Sequence, residues 1–184
     1  MAVWMTYSSM ILMGAGVSAG EINNGNWTLS HNVLSLEGEI LPQSSRHFRR
    51  LYAAAMLSIP YPKPIVIELD CTGGDLAAAI RIVRIIRAAQ REKTTVTVSI
   101  RSGKRCYSTC LLLFAAANHR QAAPGALFRF PSSANSDVTL RILSSIAEVD
   151  ADLANHLLKM GFPDEVQTAS QLGYKYLNFV TLQE

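Results

Sequence analysis

Pro64-Ile65-Val66-Ile67-Glu68-Leu69-Asp70 is a short, β-branched and nearly continuous apolar run. A run with so few polar positions is expected of a strand buried on both faces, so it belongs in the middle of a sheet. Gly73 and Gly74 break the chain after it. Asp75 then opens a helix in which Leu76, Ile80, Val83, Ile86 and Ala89 recur at helical spacing. A second β-branched run, Thr94 to Ile100, follows. Strand, helix and strand within about thirty-five residues describe a right-handed parallel crossover, so the fold class is α/β with a sheet that is at least partly parallel.

The rest of the chain is arranged around that unit. Trp27 to Leu34 and Gly38 to Ile40 read as extended, and Pro42 to Ser45 starts a helix over Arg46 to Met56. The prolines between Ile59 and Pro64 end it. Arg101 to Arg105 reads as a basic loop, and Tyr107 to Ala117 as an apolar helix with no polar face, which requires burial on nearly all sides. Gln121 to Ala123 and Ala126 to Phe130 read as short strands around Pro124-Gly125, and 132–136 as a polar loop. A long helix is predicted over Asp137 to Met160, capped by Ser136 and ended by Gly161, with a short helix from Pro163 and an extended segment over Tyr174 to Leu182. With 184 residues, 49% of them hydrophobic, and no internal repeat, one domain over 20–184 is expected.

A net charge of +3 is too mild to argue for nucleic acid or an anionic membrane surface, so no nucleic-acid partner is expected. Arg81, Arg84, Arg87 and Arg91 form a stripe on the crossover helix, which reads as a solvated outer face. Met1 to Gly20 carries no charged side chain, and Met10 to Val17 is an apolar run ending in Val17-Ser18-Ala19-Gly20. The small residues fit signal-peptide cleavage after Ala19, giving a leader over 1–19 and a periplasmic or secreted product. The missing Lys or Arg at its start leaves a single anchor and an ordinary buried N-terminus open. No later segment approaches the ~20 apolar residues that a span requires, so no stable membrane insertion is expected after cleavage.

Cys71, Cys106 and Cys110 are too few for a disulfide scaffold. Cys106 and Cys110, placed on the first turn of a helix, would stand roughly 6 Å apart at Cα, within the range of a disulfide with demanding geometry. That pairing goes with export. A zinc site from the three cysteines and His119 lacks the expected close paired spacing, and Cys71 reads as a small apolar residue in a packed place.

Two segments can carry chemistry: Asp70-Cys71-Thr72-Gly73-Gly74-Asp75, at the end of the buried strand, and Cys106-Tyr107-Ser108-Thr109-Cys110, at the head of the apolar helix. In a parallel α/β sheet both lie at the carboxyl ends of strands, where ligands bind. Paired glycines allow backbone N–H groups close to a ligand, and a helix start adds unpaired donors. Together they can hold an oxyanion beside the Ser108 hydroxyl. The plain alternative is a Gly-Gly turn and a serine that merely caps a helix.

From Ile65 to Phe130 the chain resembles the Clp protease proteolytic subunit family of the Clp/crotonase superfamily, and more closely its exported bacterial relatives. Asp70-Cys71-Thr72-Gly73-Gly74 is similar to the family's Asp/Asn-Ser-Pro-Gly-Gly segment. Cys106-Tyr107-Ser108-Thr109-Cys110 is similar to the Cys-Ala-Ser-Ala-Cys pattern of the exported relatives, and Arg120 to Phe130 to the segment leading to the catalytic histidine. Glu37-Gly38-Glu39-Ile40 resembles the early Gly-x-Ile strand. The resemblance implies a spiral of ββα units with a mostly parallel sheet, Ser108 as nucleophile, and oxyanion donors at Gly73, Gly74 and Thr109. It also implies a peptide or protein substrate, a homo-oligomer and no cofactor.

The chain departs from the pattern where it matters most. The position after Ala126-Leu127-Phe128-Arg129-Phe130, a histidine in the family, is Pro131, which cannot accept a proton. No Asp stands in for the third triad member, and Thr72 replaces the usual proline. A serine without a base is a weak nucleophile. His119 is expected at the far end of the serine's helix, His156 on the long helix, and His31 and His47 before the core. Lys104, one turn before the serine, lacks evident burial to lower its pKa. Three functions therefore remain open: a serine peptidase-like hydrolase, a degenerate peptide-binding or assembly protein, and a crotonase-like acyl-thioester enzyme.

Overall fold

The computed structural model describes residues 22–24, 26–58, 64–130, 137–148, 151, 154–155, 166–172 and 180–181. The expected leader, Pro131, the 132–136 loop, His156 and the helix starting at Pro163 lie outside them. So do most of the second half of the long helix and of the terminal extended segment.

The described residues form a mixed α/β fold. Strands β1 (Ile22–Asn24), β2 (Trp27–Ser30) and β3 (Val33–Ile40) precede helix α1 (Ser44–Ser58). Next come β4 (Ile65–Gly74), α2 (Leu76–Arg91), β5 (Val96–Ile100), β6 (Arg105–Tyr107) and α3 (Cys110–Ala116). The chain continues through β7 (His119–Ala122), β8 (Leu127–Arg129) and α4 (Asp137–Ala147), then β9 (Gln167–Thr168), α5 (Ala169–Leu172) and β10 (Val180–Thr181).

The main sheet has the order β1-β2-β3-β4-β5-β7-β10. Its β3-β4-β5-β7-β10 portion is parallel, and β1 and β2 are antiparallel additions. The predicted crossover is therefore present as β4-α2-β5. β4 also does something a ten-residue strand permits: Ile65 to Glu68 pairs with β5, while Cys71 pairs with Cys106 of β6. Parallel to β6 lies β8, and antiparallel to β8 lies β9. One long strand thus branches the sheet, carrying β6, β8 and β9 off its main path, in the mostly parallel arrangement implied by the resemblance.

Local physics accounts for the places where the sequence reading misses. Trp27 to Leu34 is a hairpin rather than one extended run, because His31, at φ 57°, opens a turn with Asn32. Polar Ser35, Glu37 and Glu39 belong to β3 all the same: Leu34, Leu36 and Ile40 are buried while the intervening side chains point outward. Gly73 and Gly74 do not end β4. They continue it at φ 99° and 126°, with Gly74 in register with Ile40 and the Asp75 N–H donating to the Ile40 carbonyl at 2.7 Å.

The apolar helix begins later than expected. Arg105 to Tyr107 is a strand, Ser108 and Thr109 form a turn, and all seven residues of α3 are buried. In α2, Asp75 caps the helix as predicted, its Oδ1 accepting the Ala78 N–H at 2.6 Å. The buried face is Ala78, Ala79, Ile82, Val83, Ile86 and Ala89, with Leu76 and Ile80 at its margin. Of the arginine stripe, Arg81, Arg84 and Arg91 are exposed, whereas Arg87 is half-buried and donates to Gln90 Oε1 at 3.3 Å. No described helix is long and apolar enough to cross a membrane.

Candidate active site

Ser108 occupies a sharp strand-to-helix turn in the left-handed backbone region, at φ 51°. A non-glycine residue there costs about 1–3 kcal/mol and persists only where neighbours hold it. Three backbone bonds do so. The Ser108 N–H donates to the Arg129 carbonyl at 2.8 Å, the Ser108 carbonyl accepts from Leu111 N–H at 3.0 Å, and the Thr109 carbonyl accepts from Leu112 N–H at 3.2 Å. Ser108 itself is half-buried.

The glycine segment forms the other wall. A Cβ at Gly73 would lie 3.1 Å from the Ser108 Cβ and 3.2 Å from the Tyr107 carbonyl oxygen, so β4 can approach the serine this closely only because Gly73 has no side chain. At Gly74 a Cβ would run into the backbone of Ile40. Thr109, buried, donates its hydroxyl to the Gly74 carbonyl at 3.3 Å. The structure therefore brings Gly73, Gly74, Ser108 and Thr109 together. Thr109 immediately precedes α3, so helix geometry provides its N–H with no intrahelical acceptor.

Asp70 pins the two halves of this arrangement. It accepts from the Arg105 N–H at 3.2 Å, from Arg105 Nε at 2.6 Å and from Lys104 Nζ at 3.2 Å. Burial pushes the Asp70 carboxyl up, but the hydrogen bonds from Arg105 and Lys104 outweigh it and hold the group below the usual carboxylate range. The start of β6 is thus fixed to the end of β4, and sequence reasoning did not assign that role. The Arg129 carbonyl was also missed, since it acts through backbone that carries no side-chain signal.

None of the candidate bases among the described residues is brought to Ser108. Lys104 is engaged with Asp70 and lies 3.7 Å from Glu37. It precedes β6 while Ser108 follows it, a separation of about 13 Å along an extended chain. His119 is not on the serine's helix; it opens β7, exposed and opposite Thr97. His31 sits in the β2–β3 turn, at the amino end of β4, and His47 on α1. The Arg129 carbonyl accepts from the Ser108 N–H, and the buried Phe130 follows it, so the end of β8 lies beside the serine. The next position is Pro131.

Cys71, Cys106 and Cys110 are fully buried free thiols. Cys106 is on β6 and Cys110 opens α3, so they do not share a helical turn as the spacing suggested. Among the described residues, no group of three or more His, Cys, Asp or Glu side chains is arranged to hold a metal ion.

No protein-family model and no curated protein matches the sequence. Solved structures do resemble the chain. A crystal structure of the ClpP protease catalytic domain from Plasmodium falciparum superposes with a TM-score of 0.63 at 13% identity, covering 83% of this chain and 85% of that one. Another crystal structure, described only as that of an enzyme, gives a TM-score of 0.62 at 12% identity, covering 83% and 96% of the two chains. Identities this low speak for architecture alone, and they show that this chain has a Clp/crotonase-like fold.

Proposed function

We propose that the protein is an exported Clp-like serine hydrolase that accepts acyl groups from peptides or proteins at Ser108. The observation that carries this reading is the left-handed Ser108 packed against Gly73, a strained turn of the kind that clusters at functional sites. In this mechanism the Ser108 Oγ attacks a peptide carbonyl, and the oxyanion accepts hydrogen bonds from the Gly73, Gly74 and Thr109 N–H groups. The serine proton must pass to a base, which is water or a group outside the described residues. Without a positioned base, the oxyanion donors and substrate binding still support slow acylation, on the order of 10³–10⁴ over the uncatalysed reaction in related systems.

A second reading rests on Pro131: the cradle is kept for binding an extended peptide, without turnover. A crotonase-like acyl-thioester activity fits less well, because it gives no role to the strained serine. Assembly into a homo-oligomer and removal of a leader after Ala19 belong to the first two readings alike. They are checked by light scattering and by the N-terminal mass of exported protein.

The test is labelling of the protein lacking residues 1–19 with a fluorophosphonate probe, beside Ser108→Ala. Labelling that disappears in the variant supports the hydrolase. Folded protein that takes up no probe supports the binding protein.

A further inference from the structure

Three sulfurs meet behind the Ser108 turn. Cys71 of β4 and Cys106 of β6 are paired in the parallel ladder, and the Cys110 thiol at the start of α3 is close enough to both for them to push it up. Cys106 and Cys110 stand two residues to either side of Ser108, whose left-handed backbone must be held in place. All three thiols are 0% exposed. Burial pushes the Cys106 thiol up, and burial with its sulfur neighbours pushes Cys110 up further, so the closed fold keeps both as unreactive thiols.

We propose that Cys106 and Cys110 form a disulfide that clamps the Ser108 turn, leaving Cys71 as a buried thiol. The bond forms by thiol–disulfide exchange with a disulfide oxidant, either a low-molecular-weight disulfide or a disulfide oxidoreductase. One S–S bond forms between the cysteines, the oxidant's S–S bond breaks, and two protons and two electrons pass to its sulfurs. Since no solute reaches the cluster in the folded chain, exchange takes place during folding, when the thiols keep their ordinary reactivity. The closed fold then shields the product from reductants.

Sequence distance selects the pair. Cys106 and Cys110 are four residues apart and meet by local closure, whereas Cys71 is thirty-five or more residues away and reaches them only once β4 and β6 have paired. The ring so formed encloses Ser108 and restricts the backbone dihedrals of the turn. Its formation does not depend on whether Ser108 reacts.

The test starts from the full chain, reduced in denaturant and refolded with excess oxidised over reduced glutathione. Alkylation under denaturing conditions followed by peptide mass mapping is expected to find one alkylated cysteine, Cys71, and a linked Cys106–Cys110 peptide. Should refolding fail, the same mapping is made on chain exported to a bacterial periplasm. Cys71→Ser keeps the bond, and Cys110→Ser shows two free thiols. Amide exchange over 106–110 is expected to be at least ~10-fold slower in the oxidised protein than in the reduced. Three alkylated cysteines in folded protein, a bond that includes Cys71, or equal exchange in both forms overturns the proposal. Mapping reads the sulfurs and phosphonate labelling reads Ser108, so the clamp and the hydrolase reading fail separately.

Discussion

Gly73 at the end of β4 and Ser108 just after β6 stand face to face: a Cβ on the first would lie 3.1 Å from the Cβ of the second. Gly73→Ala therefore adds both a strained φ, at 99°, and a contact tight enough that Ser108 must give by a few tenths of an ångström. A loss of about 1–3 kcal/mol is expected in urea unfolding, together with reduced phosphonate labelling of whatever remains folded. Gly74→Ala should cost more, because its Cβ meets the Ile40 backbone, which cannot rotate away.

Thr109→Val keeps the shape of a buried side chain and removes the hydroxyl that bonds the Gly74 carbonyl at 3.3 Å. About 1–2 kcal/mol of stability should be lost, since the carbonyl is left with one partner fewer. Slower probe labelling at unchanged fold, followed by circular dichroism, would show that this bond also sets the distance between the glycines and Ser108.

Asp70 gives the fold an acid dependence. Its folded pKa is lowered by the Arg105 and Lys104 hydrogen bonds in spite of burial, so the stability it contributes is present above the unfolded value, near pH 4, and is lost as pH falls through the folded one. Urea midpoints measured from pH 6 down to pH 2 should fall over that lower window in the wild type. Asp70→Asn should start about 1–3 kcal/mol lower at pH 6 and lose this part of the slope.

The parts of the fold that follow from burial were legible in the sequence. Ile65 to Leu69 announced a central strand, Asp75 a helix cap, and Leu111 to Ala116 a helix with no exposed face. What misled the reading was backbone conformation that side-chain type does not encode. Gly73 and Gly74 normally interrupt strands, yet here β3 pairs alongside and keeps them extended. Ser108 was placed on a helix because its apolar neighbours run on without a break. Only the pairing of Cys106 with Cys71 and Phe128 shows that the preceding three residues are a strand. Non-local pairing of this kind has no local signature, and it is what creates the serine's turn.

On the proposed hydrolase reading, Ser108 stands in an acyl-accepting cradle and lacks the histidine that the resemblance implies at position 131. The most direct measurement is the rate of fluorophosphonate labelling of wild type, Pro131→His and Pro131→His/Ser108→Ala, with folding checked by circular dichroism. A positioned general base contributes typically 10²–10⁴-fold, so Pro131→His should label about 100-fold faster than wild type, and the double variant not at all. A folded Pro131→His protein that labels no faster than wild type would contradict the claim.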